Sequence, residues 1–314
     1  MKSFVEAMAK IQGGNNLILC HDQADSDAIG AAYALSRLIG GDIGVPQEIA
    51  GHSKRLIEEL GMTVVHAPQV CDYKNIVVVD TAHGAQLCDS VPQRFFVIDH
   101  HPNNHLIQKA DVALHDVVSS TSQLVYRVLK ELKAPIDKKM ALAMCAGILT
   151  DTIHFHKGDP EAFQVFGELL SRGGLSYEDI LNLYVVEDRR DRGAIIDSAL
   201  SARKATFGGY HILVAEIDAN IPTYAARALF DLGADASVVG YRKGEEVEVR
   251  MYLRNELLEQ QGIQATEVFR STNSMKKGKT WGYALFAGFR SSNGQLDLIF
   301  DEILQVFHDR LTRV

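Results

Sequence analysis

Phe95-Phe96-Val97-Ile98-Asp99-His100-His101 decides the fold: an apolar run of strand-forming residues closed at once by an acid and two imidazoles. The same form recurs. Ile76-Val77-Val78-Val79 is closed by Asp80, and Leu17-Ile18-Leu19-Cys20 runs into His21-Asp22-Gln23-Ala24-Asp25-Ser26-Asp27-Ala28-Ile29-Gly30. A fourth apolar stretch, Gly147-Ile148-Leu149-Thr150, ends on Asp151. Short apolar runs rich in Val and Ile, alternating with helical stretches, read as buried strands of a parallel sheet. Ligands of such sheets bind at the carboxyl ends of strands, where successive connections diverge. The chain is therefore expected to be α/β: a parallel-sheet domain carrying these acids and imidazoles, then a second, smaller α/β domain.

Carboxylates gathered in one crevice repel one another unless cations neutralise them. Carboxylates mixed with imidazoles suit first-row divalent ions better than Ca or Mg. Each residue also has an ordinary role open to it. Asp25, Ser26 or Asp27 can cap a helix starting near Ala28, His21 can be a satisfied core histidine, and Asp80 can begin a turn. The pair His100-His101 is harder to explain so, because alternation sends the two rings in different directions.

At these positions the chain resembles the DHH phosphoesterase family, in its oligoribonuclease or 3′-phosphoadenosine phosphatase-like branch. His21 to Gly30 follows the family pattern His-x-x-x-Asp-x-Asp-Ala-Ile-Gly. Asp80 stands at the second motif, Asp99-His100-His101 at the third, and Gly147 to Thr152 at the fourth. Ser119-Ser120-Thr121-Ser122 is similar to the helix start that the family places between the last two. The resemblance implies two divalent ions, most commonly Mn. One would be held by His21, Asp25 and Asp80, the other by Asp27, Asp80, His100 and Asp151, with Asp80 bridging. It further implies that a hydroxide between the metals attacks phosphorus, that His101 acts on substrate, and that Asp99 orients a histidine.

Organisation follows the alternation of patterns. Residues 1–185 form the expected metal-binding domain, with helices from about Thr121 to Leu132, through the apolar Met140 to Leu149, and from Ala162 to Gly173. The charged stretch Glu187 to Arg192 opens a connecting helix, 186–206, and residues 207–314 form the second domain. That domain resembles the DHHA1 domain accompanying one branch of the family. Val249-Arg250-Met251-Tyr252-Leu253-Arg254 is similar to its substrate-facing strand, with Arg254 as the phosphate contact, since a guanidinium pairs two phosphate oxygens. The family's Gly-Gly-Gly-His loop is replaced by Lys279-Thr280-Trp281-Gly282-Tyr283, so Tyr283 stands where a histidine would bind substrate. Trp281 and Tyr283 either stack on a nucleobase or fill the domain core.

The 314 residues carry a net charge of -8, which argues against a broad surface for long duplex nucleic acid. The four cysteines, Cys20, Cys71, Cys88 and Cys145, form no close pair, which suits a reducing cytoplasm. No apolar run reaches the length of a membrane span. The expected function is two-metal hydrolysis of phosphoester bonds in small nucleotides or short oligonucleotides. A manganese-dependent inorganic pyrophosphatase and a non-catalytic nucleotide-binding module are the alternatives, and a homodimer is an open assembly state.

Overall fold

The computed structural model describes residues 1–88, 90–185, 188–282, 284–292 and 294–312, without the side chain of His52. Tyr283 lies outside the described residues. Two compact units divide the chain, Met1–Val185 and Val186–Val314.

The first unit opens with α1 (Lys2–Ile11), β1 (Asn16–Leu19), α2 (Ser26–Ile39), β2 (Asp42–Val45), α3 (Lys54–Leu60) and β3 (Val65–His66). It continues through β4 (Asn75–Val79), β5 (Phe96–Asp99), β6 (Val112–His115), α4 (Thr121–Glu131), α5 (Lys138–Asp151), α6 (Pro160–Gly173) and α7 (Tyr177–Leu181). Its six strands are all parallel, in the order β3-β2-β1-β4-β5-β6. The order reverses between β1 and β4, so a crevice opens at their carboxyl ends, where His21 and Asp80 emerge. Strands this short hold because both faces are covered: Ile18, Val77, Val79 and Ile98 pack in one cluster, and Leu17, Leu19, Val78 and Val97 in another.

Two helices make the larger layer rigid. In α2 every residue from Ser26 to Leu35 is buried, and in α5 every residue from Met140 to Leu149. They meet backbone to backbone. A methyl group on Gly30 would fall 2.2 Å from Ala143 O, and one on Gly147 would fall 2.4 Å from Ser122 Oγ and 2.5 Å from Asp27 Oδ1. Glycine is required at both positions by this approach rather than by backbone conformation. The fourth motif thus sits on a helix whose last residue is Asp151.

The second unit comprises α8 (Arg189–Leu200), β7 (Arg203–Phe207), β8 (Tyr210–Ile217), α9 (Pro222–Asp231), β9 (Ala236–Lys243), β10 (Glu246–Leu253), α10 (Asn255–Gln261), α11 (Ala265–Ser271), β11 (Lys279–Gly282), β12 (Phe286–Ser291) and α12 (Leu296–Leu311). Its mixed sheet has the order β11-β12-β10-β9-β8-β7, with β8 and β9 parallel and the other pairs antiparallel. Val247, Val249, Met251 and Leu253 alternate into a core with Phe269, Phe289, Ile303 and Phe307. The helix read from sequence as a connection belongs to this unit: Ile195 and Ala199 of α8 pack toward Leu229 and Val239. The end of the 186–206 connection expected from sequence is instead the start of strand β7. Arg254 follows β10 rather than lying in it, at the N-cap of α10.

Candidate metal centre

Each site residue is placed by a strand end or a helix end. Asp80 leaves β4 at φ +53°, a left-handed conformation that Asp tolerates better than most residues. Its amide is held by Ile98 O at 3.0 Å. Asp25 is the N-cap of α2 and accepts from the amides of Asp27 and Ala28 through Oδ1. That leaves Oδ2 facing His21, so capping and metal binding are compatible roles of one carboxylate. Asp27 reaches across to α4, where Oδ2 accepts from Thr121 N at 2.6 Å and Oδ1 from Ser122 N at 3.0 Å. Thr121 Oγ1 donates to Asp80 Oδ1 at 2.8 Å.

The two oxygens of Asp80 face different neighbours. Oδ2 lies 3.8 Å from His21 Nε2, which is itself 3.9 Å from Asp25 Oδ2. Oδ1 lies 3.6 Å from His100 Nε2, which is 3.2 Å from Asp151 Oδ2. Ligand-capable atoms therefore gather in overlapping sets: His21, Asp25 and Asp80; Asp27, His100 and Asp151; and Asp80 with His100 and His101.

The imidazole tautomers are set from outside. His21 Nδ1 donates to Asp22 O at 2.7 Å and His100 Nδ1 to Val118 O at 2.9 Å, so Nε2 is the nitrogen of each ring that faces the carboxylates. His101 differs, because its Nδ1, the atom 3.8 Å from Asp80, already donates to Asp99 Oδ1 at 2.8 Å. An occupied nitrogen is a poor ligand, and His101 is better suited to substrate. Asp99 is fully buried, and its Oδ2 takes the His101 amide at 3.1 Å and Asn104 Nδ2 at 2.7 Å. Asn104 was not singled out from sequence, and Thr121 only as part of the expected helix start, because the bonds from Asn104 to Thr81 O and from Thr121 to Asp80 join residues far apart in the chain. Arg254 is in the second unit, where Nε donates to Ala234 O and Nη2 to Phe230 O, with the guanidinium stacked 4.5 Å over the Phe230 ring. Trp281 carries Arg250 on its face at 4.8 Å.

The electrostatics call for a cation. Burial pushes the Asp27 carboxyl well above the carboxylate range, and Asp80 and Asp151 push it further. Burial likewise raises Asp151 against the pull of His100. Burial also opposes ionisation of Asp80, but His21, His101 and His100 outweigh it and hold that carboxyl far below its usual value. For His21, burial opposes the charge, yet Asp80 and Asp25 lift its pKa to about 10. His100 Nε2 is buried and makes no well-aligned hydrogen bond, although Asp151 Oδ2 stands 3.2 Å away. A buried imidazole nitrogen ringed by acceptor-only carboxylates fits divalent ions, and the O/N donor set suits the first transition row.

The protonated state of His21 gives a signed prediction. Below about pH 10 its proton must leave before Nε2 can bind a metal, so Mn affinity should rise with pH, up to about tenfold per unit for each proton displaced. Mn titrations between pH 6 and 8 in buffers of different ionisation enthalpy should show both the rise and the proton release. An affinity flat across that range would contradict the Nε2 assignment.

Comparison with known proteins agrees with this geometry. Residues 15–148 match the profile of the DHH family, N-terminal domain. The match falls within the first unit, running from just before β1 into α5 and stopping three residues short of Asp151. An uncharacterized protein of Methanocaldococcus jannaschii, MJ0988, is 25% identical over 265 residues, covering 80% of this chain and 79% of the relative. A probable manganese-dependent inorganic pyrophosphatase of Streptococcus thermophilus is 25% identical over 175 residues, covering 51% of this chain and 56% of the relative. Among solved structures, an exopolyphosphatase-related protein from Bacteroides fragilis shares the fold with a TM-score of 0.79 at 15% identity, covering 99% of this chain and 98% of the other. Among the described residues, no helix is long and apolar enough to cross a membrane.

Proposed function

We propose that this chain is a metal-dependent phosphoesterase that hydrolyses phosphoester bonds in small nucleotides or short oligonucleotides, with two Mn ions as cofactor. One observation carries the reading: Asp80 divides its two oxygens between separate His/Asp sets at the switch point of a parallel sheet. Ions held there by His21, Asp25, Asp80, Asp27, His100 and Asp151 would polarise a phosphoryl oxygen and acidify water.

The chain's own groups do the rest. Asp99 fixes the His101 ring, and although burial opposes its charge, the bond to Asp99 and the nearby Asp80 raise its pKa. A half-exposed imidazole so poised can hold a proton for a departing oxygen. Thr121 and the α4 amides fix Asp80 and Asp27, which keeps the ligand set preorganised. The second unit supplies substrate contacts in this reading. Arg254 has two donors committed to Phe230 and Ala234 and keeps Nη1 for a phosphate.

The similarity to a probable manganese-dependent inorganic pyrophosphatase favours pyrophosphate as a second reading. A panel of dinucleotides, cyclic dinucleotides, 3′,5′-bisphosphates and pyrophosphate, assayed with Mn, separates the two. Mn-dependent turnover is expected to be fastest on a nucleotide. Faster turnover of pyrophosphate than of every nucleotide would transfer the assignment to the second reading, and no turnover of any member by Mn-loaded protein would end both.

A further inference from the structure

Beside the metal centre lies a second group of imidazoles that the ligand sets do not use. His83 stands on the loop after β4 and His105 on the loop after β5, each just beyond its strand's site residues. Both side chains are exposed, and their rings lie against each other with centroids 4.6 Å apart and planes tilted by 31°. His83 is close enough to His101 and Asp99 to feel their charges.

Exposed histidines on loops are usually mobile, but these two are held. His105 N donates to Ala82 O at 2.8 Å, which ties the two loops together. Gln86 Oε1 accepts from the amides of Ala82 at 3.0 Å and His83 at 2.9 Å, which fixes the turn carrying His83. Asn104 clamps the other side: Nδ2 donates to Thr81 O at 2.9 Å and to Asp99 Oδ2, and Oδ1 accepts from Leu106 N and Ile107 N. The same Asn104 therefore positions Asp99, behind His101, and the backbone of His105.

We propose that His83 and His105 form a subsite for a second phosphoryl group of the substrate, adjacent to the one being cleaved; this rests on the phosphoesterase reading above. Among the described residues no hydrogen bond or ion pair joins either ring to a carboxylate, so their N–H groups are available to an anion. Rings this close offer donors side by side, which suits neighbouring oxygens of one phosphate. A metal ion would need lone pairs that converge. Burial, and then the neighbouring His105 and His101, lower the pKa of His83, and a dianion placed against the pair relieves that repulsion. The substrates selected are those with two phosphoryl groups close together: a pyrophosphate linkage, a nucleoside bisphosphate, or a dinucleotide with a terminal phosphate.

The test uses the Mn-loaded full chain and the double variant His83→Gln/His105→Gln, both exposed positions whose replacement leaves the core intact. Calorimetric titration with imidodiphosphate, a non-hydrolysable probe, is expected to show binding about tenfold weaker in the variant, with binding of methyl phosphate unchanged. In turnover, KM for a nucleoside 3′,5′-bisphosphate is expected to rise about tenfold at nearly constant kcat, and KM for p-nitrophenyl phosphate to stay put. Equal loss for one- and two-phosphate compounds, or no loss for either, overturns the subsite. If the wild type binds imidodiphosphate through these residues yet hydrolyses nothing, the subsite stands and the hydrolase reading falls.

Discussion

Replacing Asp80 by Asn is expected to lower kcat/KM by at least about 1000-fold, because it removes a carboxylate shared by both ligand sets. Asn is the stringent choice. It tolerates the left-handed backbone at this position, and its carbonyl oxygen can still accept from Thr121 Oγ1. What it cannot do is present an anionic oxygen to the His21 side and the His100 side together. Bound Mn, measured by elemental analysis after gel filtration, is expected to fall from about two per chain to below one. His21→Ala, which touches one set only, is expected to cost chiefly one ion. Normal turnover by Asp80→Asn in the presence of Mn would sink the two-metal hypothesis.

The second large effect is thermal. Asp27, Asp80 and Asp151 crowd together in the metal-free protein, with burial and mutual repulsion raising the carboxyls of Asp27 and Asp151. An ion that binds only the folded state stabilises it by mass action, about 4 kcal/mol at a concentration a thousandfold above Kd. For a unit of this size that corresponds to a Tm increase of about 8–16 °C. Calorimetry in EDTA and in saturating Mn should show it, with the gain confined to the first unit and absent in Asp80→Asn. A Tm indifferent to Mn would mean that the cluster does not bind it in the folded state.

The parts of the fold that could be read from sequence are those with a local signature. The runs at 76–80 and 95–99 are long enough and rich enough in Val and Ile to announce strands, and the apolar stretch before Asp151 announces a buried helix. The short strands β2, β3 and β6 carry four residues or fewer of mixed character and announce nothing. Strand β7 is polar and mostly exposed at its start, which is why it passed as the end of the connecting segment. The same division holds at the site. Asp25, Asp27, Asp80, Asp99, His100 and Asp151 stand out because each closes an apolar run or opens a helix. That Asp27 accepts from the first amides of a helix starting 94 residues later, or that Asn104 ties its own loop to Thr81 O, is written only in long-range contacts. Whether His101 ligates or serves substrate turns on which nitrogen Asp99 occupies, and periodicity is silent on that.

The close approach of α2 and α5 has a bearing on which cation the centre accepts. Gly30 lies against the Ala143 carbonyl and Gly147 against the side chain and Cα of Asp27, so neither approach leaves room for one further carbon. Asp27 rides on one helix and Asp151 ends the other, so the span between their carboxylates is gauged by main-chain contact. A larger ion such as Ca²⁺, which asks for oxygens at about 2.3–2.6 Å and for more of them, would have to prise two helices apart rather than turn a rotamer. Ionic radius would thereby be sorted by how closely two helices pack at Gly30 and Gly147.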